Sequence, residues 1–288
     1  DVPRNNGVLN VTGVITRSSN IGAAKIVAKL DDQAFYQSVR KFGYGSAPHS
    51  GFPGESAGVV SHPGSPSWYG TTKTTMSYGY GLSVTPLQIA TAYTALGNNG
   101  KLMQPTFVKG QHQEAREVIS PEVAREVVAM METVVTQGGA KGAAVLGYHV
   151  AGKTGTARLN GPGGYIRGHY NALFAGLVPA TNPRFATVIV INDPQGAKYY
   201  GGLVSAPVFH NVMEGALRLM DVPPDDIQAW LAAQAAGKSG HAPPPVPVEP
   251  DPATVPDAAA EVDAALPSVH AVAPAPAALP APLQETRQ

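Results

Sequence analysis

The chain has 288 residues, no cysteine, and 20 Lys+Arg against 20 Asp+Glu, a formal net charge of zero. The length suits one large domain or two small ones, and 43% apolar residues suffice for a sizeable core. Without cysteine there is no disulfide, thiol nucleophile or thiolate metal site; a balanced charge argues against a nucleic-acid partner, and no apolar run reaches the roughly 18 residues of a membrane span.

In chain order, Ser18-Ser19-Asn20 reads as a polar cap ahead of a helix over 21–30. Asp31-Asp32 cap a second helix, with Phe35, Val39 and Phe42 at i, i+4 and i+7. The stretch 46–69 is rich in Gly, Pro and Ser and predicts a long ordered loop. Thr85-Pro86-Leu87-Gln88 is a capping box with Pro at the first helical position, so a helix runs to Leu96 and stops at Gly97-Asn98-Asn99-Gly100. Ser120-Pro121-Glu122 opens another helix, with Val123, Val127, Met130, Met131 and Val134 on one face and Gly138-Gly139 at its end.

The period then changes. Segments 148–158, 171–178 and 185–191 are short and β-rich, separated by Gly/Pro/Asn clusters, and Asn182-Pro183 joins the last two as an antiparallel hairpin. A final helix over 205–220 is broken by Pro223-Pro224. Helices first, then an antiparallel sheet with a covering helix, is an α+β layout.

The folded part is expected to end near Gln234. Residues 237–288 hold two basic and six acidic side chains, a charge of −4 that leaves +4 on residues 1–236. From His241 onward 12 of 48 residues are Pro and 13 are Ala, which leaves no helical or strand period and predicts a disordered, extended tail. The first residue is Asp1, with no Met and no leader, so the chain reads as a piece of something longer.

Several patterns bear on chemistry. Gly147 to Thr154 fits the phosphate-loop pattern G-x-x-x-x-G-K-[ST], and 185–193 supplies an apolar strand ending in Asp. A phosphate loop needs a helix beginning at its Lys-Thr, so that amide N–H groups face the phosphates. Here Thr154 is followed by Gly155-Thr156-Ala157-Arg158-Leu159-Asn160-Gly161-Pro162-Gly163-Gly164, which cannot be helical, and a nucleotide-binding enzyme is set aside. The alternative puts Lys153-Thr154-Gly155-Thr156 on an exposed strand. There Lys153 supplies positive charge, Thr154 and Thr156 donate hydrogen bonds, and Gly155 lets a substrate backbone approach, together forming a carboxylate-recognition surface. An ordinary strand with an exposed Lys reads equally well from these residues alone, as does a simple helix cap at Ser18-Ser19-Asn20.

Taken together the two motifs change meaning, because S-x-N followed by K-T-G is two thirds of the signature of penicillin-recognising serine acyltransferases. Longer strings join them: Gly51-Phe-Pro-Gly-Glu55, the run from Ser77 to Gln88, Ala92 to Gly100, Phe174-Ala-Gly176, and Tyr200 to Phe209. Over about residues 1–224 the chain resembles the transpeptidase domain of class B penicillin-binding proteins, most closely the division-specific septal branch of Gram-negative bacteria.

That resemblance implies a penicillin-binding/β-lactamase-like α+β fold with helices flanking an antiparallel sheet. It also implies roles by position. Ser18 relays a proton to the leaving amine, Asn20 holds the substrate amide, and Lys153 keeps the proton network polarised. Thr154 and Thr156 hydroxyls grip the substrate carboxylate, with Gly155 between them, and the Thr156 backbone N–H is half of an oxyanion hole. Tyr170, Tyr199 and Tyr200 correspond to aromatic residues lining the family's cleft, with buried core aromatics as the plain alternative.

The family's nucleophile is the Ser of an S-x-x-K motif tens of residues ahead of S-x-N, and residues 1–17 contain none. Ser38-Val39-Arg40-Lys41 fits the letters but comes after S-x-N, late in a helix, where a surface Ser and Lys one turn apart are ordinary. The chain is therefore expected to be a C-terminal part lacking the nucleophile and the first sheet strands, inactive alone. The implied partners are peptidoglycan stem peptides ending in D-Ala-D-Ala, β-lactam antibiotics and other proteins of the septal division complex, with no nucleic acid. The implied location is the periplasmic face of the inner membrane, held by an anchor ahead of this chain. No cofactor or metal is called for, and the eight His show no ligand spacing. Two other readings remain, a catalytically dead binding module of a division complex and, less favoured, the nucleotide-binding enzyme; a β-lactamase is disfavoured because no motif between Asn20 and Lys153 offers a deacylating Glu.

Overall fold

The structure is a computed structural model that describes residues 5–111, 113 and 115–237. The Pro/Ala-rich tail lies outside the described residues from Lys238 onward, and with it the expectation of disorder there.

Three helices open the fold: α1 (Val11–Thr16), α2 (Asn20–Val27) and α3 (Asp32–Lys41). Asn10, Ser19 and Asp31 cap them, each side chain accepting from the backbone N–H three residues on. The long loop that follows carries only strand β1 (Val59–Val60) before helix α4 (Thr72–Met76), and β1 pairs antiparallel with β2 (Leu82–Ser83). Helix α5 (Pro86–Gly97) has the expected capping box, and its Gln88 amide also donates to the carbonyls of Ser46 and Ala57, both at 2.9 Å. One side chain thus caps a helix and ties the loop to it. Strands β3 (Lys101–Met103) and β4 (Ala115–Glu117) make a second small ribbon ahead of helix α6 (Pro121–Thr136).

The central layer is a three-stranded antiparallel sheet in the order β5–β6–β7, formed by β5 (Ala151–Gly161), β6 (Gly164–Val178) and β7 (Phe185–Asn192). Helix α7 (Gly201–Leu219) lies on one face, where Phe174 of β6 meets Phe209 edge to face at 4.8 Å, both fully buried. Helices α5 and α6 cover the other face, where Leu177 packs with Val128 and Met131. Residues 174 and 177 fall on opposite faces because strand side chains alternate, so β6 is apolar throughout its second half. Burying a Phe or Leu side chain here contributes about 1.5–3 kcal/mol each. Helix α8 (Ile227–Ala235) closes the described chain. Among the described residues no helix is long and apolar enough to cross a membrane. The α+β architecture, with helices flanking an antiparallel sheet, agrees with expectation.

Four details differ from the sequence reading. The first two strands form one long hairpin, because Gly161-Pro162-Gly163-Gly164 is a tight turn, not a loop: Pro suits the second position and Gly163, at φ 91°, the third. Strand β5 starts at Ala151 instead of Tyr148, since the Tyr148 hydroxyl and the His149 N–H are drawn off to Val222 and Asp225. Helix α7 starts four residues early, at Gly201-Gly202, a pair poor in helix propensity. A Cβ at Gly201 would overlap the Leu173 and Gly155 carbonyls, and one at Gly202 the Gly139 carbonyl, so close approach decides. The buried face of α6 is Ala124, Val128, Met131, Val134 and Val135, whereas Val123 is exposed. Val123 and Val127 instead border an open cavity of about 290 Å³ with Phe42, Tyr44, Tyr93 and Leu96. The short elements α1, α4 and α8 and the two ribbons carried no period long enough to read.

Candidate active site

The first wall is the corner between α1 and α2. Helix α1 is held to α6 by the Thr16 and Thr133 hydroxyls, 2.5 Å apart. The chain then turns sharply: Ser18 takes φ 52°, a left-handed conformation, and the Ser19 N–H donates to the Val14 carbonyl at 2.9 Å. Buried Ser19 caps α2 by accepting from Gly22 N–H at 3.0 Å. The helix cap and the contact with Lys153 therefore fall on adjacent serines. Ser19 does the capping and leaves the exposed Ser18 hydroxyl free to meet Lys153. Asn20 stands first in α2 with its residue exposed.

The second wall is β5. Among the described residues it is an edge strand, pairing with β6 alone, with Lys153 opposite Ala175 and Thr156 opposite Ala172. Alternation puts Lys153 and Gly155 on the face turned to α6, and Thr154 and Thr156 on the face turned to α7. The four residues thus form two surfaces meeting at one open edge rather than a single compact patch. The Lys153 ammonium donates to the Ser18 hydroxyl at 2.7 Å and to the Thr154 carbonyl at 3.0 Å. Loss of surrounding water pushes its pKa down to about 8. The Thr156 hydroxyl accepts from the Gly201 N–H, the first residue of α7, at 3.1 Å, which leaves its own proton free to donate. Beside Gly155 the space a Cβ would take is filled by the cross-strand Leu173 side chain, a packing reason for glycine that the sequence did not reveal.

The three tyrosines come together. Tyr170 stacks on Tyr199 at 4.3 Å and 14°, and Tyr199 on Tyr200 at 4.5 Å and 27°, with the Tyr199 hydroxyl donating to that of Tyr200 at 3.3 Å. Tyr170 is buried at the base, while Tyr199 and Tyr200 are half-buried. Tyr200 precedes Gly201, so the stack adjoins the Thr156 contact. A second aromatic group escaped the sequence reading: Tyr80, between α4 and β2, meets Tyr165 of the β5–β6 hairpin edge to face at 5.5 Å. The tyrosines of the run from Ser77 to Gln88 were its only signal.

Other sequence patterns separate in space. Lys153-Thr154 lies within strand β5, and β6 intervenes between β5 and the β7 end that leads to Asp193, so the segment from Gly147 to Thr154 does not have the strand–loop–helix form of a phosphate loop. The Ser38 hydroxyl donates back to the Ala34 carbonyl at 2.8 Å on an exposed face of α3, as a surface serine does.

Comparison with known proteins agrees with this geometry. Residues 1–214 match the family model described as penicillin binding protein transpeptidase domain. The chain is 42% identical over 241 residues to the peptidoglycan D,D-transpeptidase FtsI of Escherichia coli K12, covering 81% of this chain and 41% of that protein. It therefore spans about two fifths of the length of that relative. Among solved structures it is similar to the apo TP domain of Burkholderia pseudomallei penicillin-binding protein 3, with TM-score 0.72 and 41% identity over 77% of this chain and 68% of that one. It is also similar to penicillin-binding protein 3 of Mycobacterium tuberculosis complexed with ampicillin, with TM-score 0.71 and 33% identity over 77% and 54% of the two chains.

Proposed function

The chain belongs to the penicillin-binding protein transpeptidase family, and from that membership we propose that it serves as the C-terminal part of a peptidoglycan D,D-transpeptidase working through a serine ester. The observation that carries this reading is the 2.7 Å hydrogen bond from Lys153 to Ser18, made at the open edge of β5.

The reaction is acyl transfer. A serine hydroxyl attacks the carbonyl between the two D-alanines of a stem peptide, D-alanine leaves, and an amine of a neighbouring stem peptide takes the acyl group. Ser18, accepting from the ammonium, keeps its own proton to pass to the leaving amine. Lys153, with a pKa brought to about 8, sits near the working pH, where proton exchange in this network has least to overcome. Asn20 holds the substrate amide. The hydroxyls of Thr154 and Thr156 take the terminal carboxylate, Thr156 oriented by the Gly201 N–H. The Thr156 backbone N–H supplies half of an oxyanion hole, a donor worth about 3–4 kcal/mol to the transition state. The Tyr170–Tyr199–Tyr200 stack borders the cleft, and β-lactams enter because a strained amide and a carboxylate imitate D-Ala-D-Ala.

The finer assignment is to the septal branch: cross-linking at the division site, on the periplasmic face of the inner membrane, with other division proteins as partners. The 42% identity to FtsI supports it. Within the chain, residues 1–236 are assigned to the transpeptidase unit and 237–288 to an appendage.

The nucleophile is assigned to none of the serines in this sequence. Fluorescent penicillin tests that assignment. The 288-residue chain should give no covalent band, and the same chain preceded by a segment carrying the family's S-x-x-K should be labelled. A labelled peptide containing any serine of this sequence overturns the assignment.

A further inference from the structure

The segment Asp193–Tyr200 crosses from the end of β7 to the start of α7 and carries two of the three stacked tyrosines. Its far end is fixed by the Gly201 N–H on the Thr156 hydroxyl. Its near end is fixed at Asp193, which takes a left-handed φ of 49° and closes onto β6 twice. The Asp193 N–H donates to the Tyr170 carbonyl at 2.8 Å, and the carboxylate meets His169 Nδ1 at 2.9 Å. A carboxylate only accepts, so Nδ1 is the protonated nitrogen of that bond. The Gln195 amide adds a bond to the Asp193 carbonyl at 2.9 Å.

His169 follows Gly168, at φ 79°, in the irregular part of β6 and is exposed, whereas the next residue, Tyr170, is buried. The exposed histidine meets Asp193 while its buried neighbour forms the base of the tyrosine stack. Holding Asp193 against His169 and Tyr170 therefore sets the point from which the segment departs, and with it where Tyr199 lies over Tyr170. We propose that the His169–Asp193 pair is a latch that positions the tyrosine stack and thereby sets how well the site holds acyl donors with an aromatic side chain. This rests on the reading of the cleft given above. His169 and Asp193 are positioning residues: neither is placed against substrate.

The strength of the pair suits that role. Both side chains are partly exposed, at 47% and 30%, and a pair of this kind shifts a local equilibrium only about two- to five-fold. That is too little to decide folding of the domain and enough to bias an eight-residue crossing that contains Gly196 at φ 117°.

The test uses three variants of the full chain. His169→Phe keeps a ring and strand propensity but loses Nδ1. Asp193→Gly suits the left-handed backbone and loses the carboxylate. Asp193→Asn suits the backbone and keeps an oxygen that accepts from Nδ1. Two readouts are taken: NMR resonances of the Tyr199 and Tyr200 rings with amide exchange at Gly201, and non-covalent affinity for benzylpenicillin and for 6-aminopenicillanic acid by ligand-observed NMR. These two ligands share the bicyclic lactam and carboxylate and differ in the aromatic side chain.

His169→Phe and Asp193→Gly should each broaden or shift the ring signals, speed Gly201 exchange, and weaken benzylpenicillin about two- to five-fold with 6-aminopenicillanic acid unchanged. The double variant should be no worse than either single one, and Asp193→Asn should behave as the parent. Unchanged ring signals in both disruptive variants, or an Asn variant as impaired as the Gly variant, overturns the latch. Rings that loosen while benzylpenicillin affinity holds overturn the selectivity half. If neither lactam binds the parent chain, the underlying reading of the cleft fails, and the ring and exchange data still decide the latch.

Discussion

The Lys153 ammonium reaches the Ser18 hydroxyl across 2.7 Å and binds an edge strand to a helix corner 135 residues earlier in the chain. The bond is made by a lysine short of water, whose pKa falls to about 8. In the unfolded chain the same group titrates near 10.4. Below about pH 8 both states hold the proton and folding carries the full cost of burying the charge. Between about 8 and 10.4 the unfolded chain still binds the proton that the folded one releases, so stability should rise with pH across that window. NMR of isotope-labelled lysine methylene groups should place the Lys153 midpoint near 8, and a midpoint above 10 contradicts this account.

Replacing the lysine should separate stability from chemistry. Lys153→Met removes a poorly hydrated charge while keeping the length of the side chain. It should raise the unfolding free energy at pH 7 by about 1–2 kcal/mol while abolishing penicillin acylation in the nucleophile-bearing protein. Denaturant unfolding read alongside fluorescent-penicillin labelling checks both halves, and a destabilised variant would contradict the first.

The two serines at the corner should behave oppositely. Ser19→Ala removes the α2 cap and should cost about 0.5–2 kcal/mol. Ser18→Gly fits the left-handed backbone and should leave stability within about 0.5 kcal/mol while removing the hydroxyl proposed as the proton relay. Ser18→Ala is a poorer probe, since alanine resists φ 52° by about 1–2 kcal/mol. Thermal melts of the three variants should rank Ser18→Gly as the most stable.

Gly201→Ala should be among the costliest small substitutions, because its methyl group would press on the Leu173 and Gly155 carbonyls and push α7 off the sheet. A loss of about 2 kcal/mol or more is expected, with faster exchange of amides in β5. Gly215→Ala in the same helix meets open space and should be neutral or slightly stabilising. Equal effects at the two positions would contradict the close-approach argument.

Asp225 anchors the segment after α7. One carboxylate oxygen accepts from the His149 N–H at 2.8 Å, and the other from the Thr181 hydroxyl at 2.7 Å and N–H at 3.3 Å. Asp225→Ala strands these donors and should lower stability by about 1–3 kcal/mol, seen as a fall of several degrees in melting temperature. Asp225→Asn keeps one acceptor oxygen and should lie between the two.

What the sequence yielded follows from how local each signal is. The capping box at Thr85 and Gln88 and the cap at Asp31 are closed within four residues, and both helices appeared where read. The strand carrying Lys153 was legible by exclusion, since no helix can run through Gly155 to Gly164. Features set by distant partners were not legible. Gly201-Gly202 reads as a helix breaker until the sheet beneath it is known. Val123 reads as core until α6 is seen to turn Ala124 inward. For the site, the resemblance to the family pointed to Ser18 and Lys153, but the hydrogen bond from Gly201 to Thr156 and the His169–Asp193 pair join residues too far apart to share any periodic signal.

The open edge of β5 also acts as a ruler. An extended ligand lying along it can continue the sheet by backbone pairing alone, whatever its side chains. The pairing of β5 with β6 is regular from Ala151 to Arg158, and the register then shifts because β6 carries Ile166 to His169 between the partners of Asn160 and Arg158. That regular stretch is eight residues, about 26 Å. A guest strand pairing along this edge meets regular backbone over that stretch, so the edge sets a length and a direction for it before any side chain is read.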